Sequence, residues 1–350
     1  MIYLDYQATT PMAPEVFAAM EPWLKENFWN PHSAHAGGRK AAAAVEAARA
    51  QVAALLPKGG KLIFTSGATD AINLAIKGSG LPVSAYATEH AAVLDCVALS
   101  GGDIDPVRND GIYMATPLRN RGLAVAMLVN NEIGTIQPIA EIASIVHADG
   151  GLLLCDAVQG FGRMQIPDGA DMIAISAHKI HGPKGIGALW VRDGVRLEPL
   201  IHGGGQEQGL RSGTLSPALC IGFGAAAMLA KERMDEDRAH VEGLWDRACE
   251  LFAKWTVNGS TTQRYKGNLN IRRDGIDVGR LMSECREVLF SAGSACASGS
   301  GRPSHVLRAN GLSDAQAKSS IRLGWGRYTS IEEIERAAEM INAAAERQLA

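Results

Sequence analysis

Through the middle of the chain, short apolar stretches alternate with segments whose apolar positions recur every three or four residues. Lys61–Thr65 (KLIFT), Val83–Tyr86 (VSAY), Leu152–Asp156 (LLLCD), Met172–Ser176 (MIAIS) and Gly187–Val191 (GALWV) predict strands. Leu123–Val129 (LAVAMLV) is apolar throughout, as a parallel strand covered on both faces requires. Between these runs, Thr69–Lys77, Ala91–Leu99 and Ile139–His147 carry helical spacing. Strands separated by crossover helices predict an α/β fold with a mainly parallel sheet and helices on both faces.

After Leu215 the pattern changes. Pro217–Trp255 reads as one long helical tract, alanine-rich and then charged from Lys231 to Arg238. Short strands and helices follow, ending in an amphipathic, charged helix over Ile331–Leu349. The alanine-rich stretch Lys40–Ala54 reads as an ordinary helix. The expected division is a large domain over residues 12–240 and a smaller α+β domain made of 1–11 and 241–350.

Composition narrows the possibilities. A chain of 350 residues, 47% hydrophobic and 20% charged, has the size of about two domains and the means to bury a core. A net charge of -3 excludes a globally basic nucleic-acid binder, and 5% aromatic residues poorly supply a stacking platform for single strands. The N-terminus lacks a basic stretch followed by an apolar one, and Ala218–Ala230 is too short to span a bilayer. Six cysteines with no C-x-x-C pair argue against a disulfide framework or thiolate zinc site and for a reducing, cytoplasmic setting.

Candidate chemistry gathers at predicted strand ends. In Ser176-Ala-His-Lys179 a lysine follows an apolar strand, where ligands bind in open α/β sheets. Partly desolvated, its amine is suited to a Schiff base; otherwise it is a loop lysine in a salt bridge. Asp156 closes another strand with Gln159 three residues on, so it can face a protonated pyridine nitrogen or simply cap a turn. Ser66-Gly-Ala-Thr69 lies between strand and helix, where Thr69 and backbone amides hold a phosphate or form a plain N-cap. His90, in Thr88-Glu-His90, brings an imidazole to the same rim, either to stack on a ring and move protons or to start a helix. Asn130-Asn131 follows the LAVAMLV strand and offers amides there, or a turn. Each signal has a bland alternative, but in a parallel sheet the set converges on one crevice.

Cys296 stands in a run of Gly, Ser and Ala from Ser291 to Arg302, whose neighbours supply little apolar surface for a core cysteine. Such a loop suits a thiolate that attacks substrate or accepts sulfur. The other cysteines read as small buried hydrophobes, Cys285 with the least support. Arg322, within the apolar pattern of Ser319-Ser-Ile-Arg322, can hold a carboxylate by a bidentate fork or form a surface salt bridge. The pairs His32/His35 and His178/His181 lack further ligands, so no metal site is expected.

As an ordered set, Tyr3–Pro11, Asn30-Pro-His-Ser33, Thr65–Thr69, Thr88-Glu-His90, Asn130–Thr135, Asp156-Ala-Val-Gln159, Ser176–Lys179, Gly203–Gly209, Arg211–Thr214, Gly293-Ser-Ala-Cys296 and Ser319–Arg322 resemble the cysteine desulfurases of the NifS/IscS type. These belong to the class V aminotransferases within fold type I of the pyridoxal phosphate enzymes. The resemblance implies a large domain with a seven-stranded, mainly parallel sheet, and a homodimer. It implies that Lys179 bonds the cofactor and moves the Cα proton, that Asp156 pairs with the pyridine nitrogen, and that Gln159 bonds the ring oxygen. His90 would stack on the ring and handle thiol protons; Ala68, Thr69, Ser176 and His178 would hold the phosphate, with Thr214 reaching it from the other subunit. Asn131 and Arg322 would bind the carboxylate of L-cysteine, and Cys296 would take the sulfur as a persulfide, releasing alanine. A sulfur-acceptor or iron–sulfur scaffold protein would receive it; neither nucleic acid nor membrane is implied as a partner. A selenocysteine lyase or class V aminotransferase is the main rival, and a non-catalytic sulfur- or partner-binding protein is the alternative of another class.

Overall fold

The computed structural model describes residues 1–114, 122–293 and 303–350. After β1 (Ile2–Tyr3), a seven-stranded sheet is built from β2 (Gly60–Thr65), β3 (Val83–Tyr86), β4 (Asp103–Asp105), β5 (Leu123–Met127), β6 (Leu152–Asp156), β7 (Met172–Ser176) and β8 (Gly187–Arg192). Their spatial order is β2-β8-β7-β6-β5-β3-β4. All neighbours pair in parallel except β8, which runs antiparallel to both β2 and β7. The reason is local. Ala177–Ile186 joins β7 to β8 and holds only a three-residue 3-10 turn at Ala177–Lys179, whereas a parallel return takes a crossover of a dozen residues or more. The chain therefore doubles back, and Lys179 lies in that short return.

Helices α1 (Pro14–Lys25), α2 (Ala36–Ala53), α3 (Ala68–Ser79), α4 (Ala91–Ser100) and α5 (Ile139–Ala148) accompany the sheet. One face packs Phe64, Ile175 and Trp190 against Phe161 and Phe223. The other packs Ile63, Leu154 and Leu189 against Ile72, Leu74 and Val97. Both faces are thus apolar, which is why the strands read as unbroken hydrophobic runs. Helix α2 starts at Ala36, ahead of the expected Lys40, because the His35 imidazole accepts from Gly38 N–H and caps a first turn that contains two glycines.

Helix α6 (Pro217–Leu251) spans 35 residues and enters two cores. Phe223, Ala226, Ala227 and Ala230 pack under the large sheet, while Val241, Leu244, Trp245 and Ala248 pack in a second core with Ile2 and Leu4. That core is completed by β9 (Thr256–Val257), β10 (Asn268–Arg272), β12 (Ser291–Ala292) and β13 (Ser320–Gly324), which form a four-stranded antiparallel sheet. β1 pairs with β11 (Val288–Leu289). The remaining helices are α7 (Val278–Glu284), α8 (His305–Ala309), α9 (Asp314–Lys318) and α10 (Ile331–Leu349). Helix α10 presents Ile334, Ala337, Ala338, Ile341, Ala344 and Ala345 to the core and opens with a capping box between Ser330 and Glu333.

Candidate active site

Because six strands of the large sheet point the same way, Thr65, Tyr86, Met127, Asp156 and Ser176 finish at one edge, and β8 starts there at Gly187. A cavity of about 680 Å³ lies at this edge. Ala68, Thr69, His90, Asn131, Asp156, Gln159, Ser176, His178, Lys179 and Arg322 all line it. Thr214 does not: it is exposed and outside that cavity. Cys296 lies outside the described residues.

Lys179 is mostly buried, and its Nζ donates to the carbonyls of Gln7 at 2.6 Å and Ala8 at 2.8 Å. Burial, with Arg163 and Arg322 nearby, pushes its amine down to about 7. Arg163 holds the residue from behind: Nη2 donates to the Lys179 carbonyl at 2.8 Å and Nη1 to Gln159 Oε1 at 2.7 Å. The Gln159 amide donates one hydrogen to Gln7 O at 3.0 Å and carries a second, so it can still donate toward a ring oxygen.

Asp156 is buried, and one carboxylate oxygen accepts from Val158 N–H at 3.0 Å. Burial raises its pKa against the lowering effect of His90 and Lys179. A cation brought against it would reverse that cost, as a protonated pyridine nitrogen does. Burial lowers the His90 pKa, and its Nδ1 accepts from Ala92 N–H at 3.1 Å as the N-cap of α4. That bond leaves Nδ1 unprotonated, so the neutral imidazole carries its proton on Nε2.

At the start of α3 no side chain caps the helix, whose N-cap is Gly67. The amides of its first turn have no intrahelical acceptor and face the cavity rim with the Thr69 hydroxyl. Gly187 makes the close approach possible: a Cβ there would come within 2.7 Å of the Gly67 backbone. His178 stands opposite, with Nδ1 at 3.1 Å from Thr9 Oγ1 and its pKa lowered to about 4 by burial and by Lys179.

Arg322, on β13, is buried. Nη2 pairs with Asp5 Oδ1 at 2.6 Å, Nη1 donates to Asn131 O at 3.1 Å, and the buried Nε has no hydrogen-bond partner. A guanidinium with an unspent donor beside Asn131 suits a substrate carboxylate. Together the uncapped amides, the buried Asp156, the depressed Lys179 amine and the orphaned Arg322 Nε–H fit a phosphorylated pyridine aldehyde bearing an amino acid.

Four contributors escape sequence reasoning. The carbonyls of Gln7 and Ala8 reach Lys179 across more than 170 positions, and a backbone oxygen leaves no side-chain signal. Asp5 is visible only as part of a motif. Arg163 follows Gln159 by four residues, a helical spacing that could have drawn attention to it.

Elsewhere, Cys96, Cys155, Cys220 and Cys285 are buried free thiols and Cys249 is half-buried. Burial raises the Cys285 pKa, and its Sγ faces Met340 O at 3.6 Å. Among the described residues no group of three or more His, Cys, Asp or Glu could hold a metal ion, and no helix is long and apolar enough to cross a membrane.

The sequence profile of the family Aminotransferase class-V matches residues 2–337. The cysteine desulfurase IscS of Rickettsia africae (strain ESF-5) is 43% identical over 97% of this chain and 90% of its own length. That of Rickettsia bellii (strain OSU 85-389) is 42% identical over the same shares. Among solved structures, a NifS-like protein from Rickettsia africae ESF-5 superposes with a TM-score of 0.91 at 29% identity, covering 99% of both chains. SspA in complex with cysteine superposes at 0.79 with 33% identity, over 94% of this chain and all of its own.

Proposed function

Because the chain belongs to the class-V aminotransferases, with the fold type I architecture and cysteine desulfurases among its relatives, we infer that it is a pyridoxal phosphate-dependent cysteine desulfurase acting on L-cysteine in iron–sulfur cluster biosynthesis. The observation that carries this reading is the Lys179 amine, depressed to about 7 and sharing one cavity with Asp156, His90 and Arg322.

Pyridoxal phosphate, when bound, supplies an aldehyde for the lysine and a ring that accepts electron density from the substrate's Cα. The residues that would hold it are the amides of Ala68 and Thr69, the side chains of Thr69, Ser176 and His178, and Asp156 and Gln159 at the ring. Near neutral pH a substantial share of Lys179 is unprotonated, so its amine is a nucleophile and, once released, a base for the Cα proton. Asp156 keeps negative charge against the ring nitrogen. His90 presents Nε2–H toward the substrate thiol as a hydrogen-bond donor, its other nitrogen being engaged by Ala92, and handles the thiol proton only once Nε2 has passed on its own. Asn131 and Arg322 grip the carboxylate, and Asp5 fixes the guanidinium plane.

Cys296 is the sulfur acceptor in this reading. Its thiolate attacks the substrate sulfur, an S–S bond forms as the Cβ–S bond breaks, and a proton ends on Cβ. L-Cysteine and one enzyme thiol thus become L-alanine and one enzyme persulfide; the sulfur is oxidised and the carbon reduced, with no outside oxidant.

A homodimer is supported by Thr214, which is exposed in its own subunit, and by exposed apolar side chains on and after α1, Phe17, Leu24 and Phe28. A sulfur-acceptor or scaffold protein is the partner the chemistry calls for, because a persulfide must be emptied before the next turnover. Free buried thiols support a reducing, cytoplasmic setting. The test is incubation of the cofactor-loaded protein with L-cysteine. Alanine should appear, and mass spectrometry should find one added sulfur on the Cys296 peptide. Alanine formation that is undiminished in Cys296→Ala overturns the reading in favour of another class V reaction.

A further inference from the structure

The loop after β5 carries two neighbours with separate attachments. Asn131 is held through its carbonyl, which accepts from Arg322 Nη1 at 3.1 Å and from Asn268 Nδ2 at 3.2 Å. Glu132 is buried and has attachments of its own. Its carboxylate accepts from the Ser304 hydroxyl, and its backbone carbonyl accepts from Asn270 Nδ2 at 3.0 Å. The same Asn270 amide reaches Gly293 O at 3.4 Å, while Asn270 Oδ1 accepts from Asn258 Nδ2 at 2.8 Å. Gly293 and Ser304 flank the sequence segment that contains Cys296.

We propose that Glu132 is a positioning residue for sulfur transfer. Its carboxylate fixes Ser304, and its carbonyl fixes Gly293 through Asn270, so both ends of the cysteine-bearing segment are tied to the loop that bears Asn131. The economy of the arrangement supports this. A buried carboxylate costs free energy unless it is hydrogen-bonded, and among the described residues its side-chain partner is a hydroxyl just past that segment. Ser304 spends its remaining capacity on Leu307 N–H at 3.1 Å, capping the short helix α8. That helix is seated by Ile133, the residue next to Glu132, which packs with Val306, Leu307 and Ala317. His305 adds a bond to the carbonyl of Glu89 at 2.9 Å.

Because Asn131 keeps its own anchors, loss of the Glu132 carboxylate should disturb where the acceptor thiol arrives while sparing substrate binding. The proposal rests on the desulfurase reading for the identity of the step, and its test separates the two. In the cofactor-loaded protein, Glu132→Ala should lower kcat for alanine about tenfold and leave KM for cysteine within about twofold. Without cysteine, amide exchange in residues 303–312 should rise in this variant while the large sheet stays protected. Glu132→Gln, whose amide oxygen still accepts from Ser304, should return kcat to within about threefold of the parent. Adding Ser304→Ala to Glu132→Ala should cost less than the sum of the two single changes, because the bond they share is then already lost and only the α8 cap remains to lose.

A parent-like kcat and exchange pattern in Glu132→Ala overturns the proposal, as does a rise in KM at unchanged kcat or a fully additive double variant. Should Glu132→Ala fail to fold, Ser304→Ala alone decides, and parent-like behaviour there overturns it. If even the parent makes no alanine from cysteine, the desulfurase reading falls, while the exchange arm still reports on the clamp.

Discussion

The guanidinium of Arg163 reaches the carbonyl oxygen of Lys179 at 2.8 Å, setting a permanent cation behind the amine it helps to depress. Burial is the larger cause of the low Lys179 pKa and Arg163 is the leading charge. Removing that charge raises the amine's pKa, because the ammonium form is then repelled less. Only the unprotonated amine attacks an aldehyde. The pH midpoint for cofactor recapture by the apoprotein should therefore move upward in Arg163→Met, by on the order of one unit. The rise of absorbance on adding pyridoxal phosphate across a pH series measures it, and an unmoved midpoint assigns Arg163 to packing alone.

Glu89 predicts an alkaline weakness of the fold. Its carboxyl is buried beside Tyr113, whose hydroxyl donates to Oε1 at 2.6 Å, and Met127 N–H donates to the same oxygen at 2.7 Å. Burial raises its pKa from 4.5 to about 8. Between those values the folded state binds the proton more tightly than the unfolded chain, so this stabilising contribution is complete below pH 4.5 and lost as pH rises through about 8. The slope is at most about 1.4 kcal/mol per pH unit. His178 and His181, lowered to about 4, act in the opposite direction between pH 4 and 6.5, and Lys179 does so above pH 7. Comparison with Glu89→Gln isolates the carboxyl. The parent's urea midpoint should fall relative to the variant's from pH 6 to pH 8, and parallel curves would contradict a titrating Glu89.

If Thr214 serves the neighbouring subunit's cavity, two defective proteins should rescue each other. Lys179→Ala and Thr214→Asp would each lose turnover as homodimers. A mixed dimer places both defects in one site and leaves the other intact. Random exchange of equal amounts should therefore restore roughly a quarter of the parent activity. Absence of recovery, with subunit exchange demonstrated by mass, would place Thr214 outside the phosphate site.

Legibility followed the kind of contact each residue makes. Strands covered on both faces have no polar alternation, so the LAVAMLV and MIAIS runs stood out directly. β4, three residues reading Asp-Ile-Asp at the sheet edge, carries no such run and was invisible. Helix α1 was likewise missed, with Pro22 interrupting its pattern near the end. Lys179, Asp156, Gln159, His90 and Thr69 were legible because each follows an apolar strand or opens a helix, and those positions share one edge. Arg322 was legible as an arginine in an apolar frame, whereas its pairing with Asp5 joins opposite ends of the chain. The reversal of β8 follows from the length of the return after β7 and was not expected at the level of an individual strand.

Helix α6 is continuous across both cores, and 35 residues make a rod about 50 Å long. A rod anchored at both ends behaves as a tie beam, so neither body can swing freely about it. Any rocking that widens the cavity has to flex the beam. Stiffness of this kind favours an enzyme that keeps its framework still through the reaction.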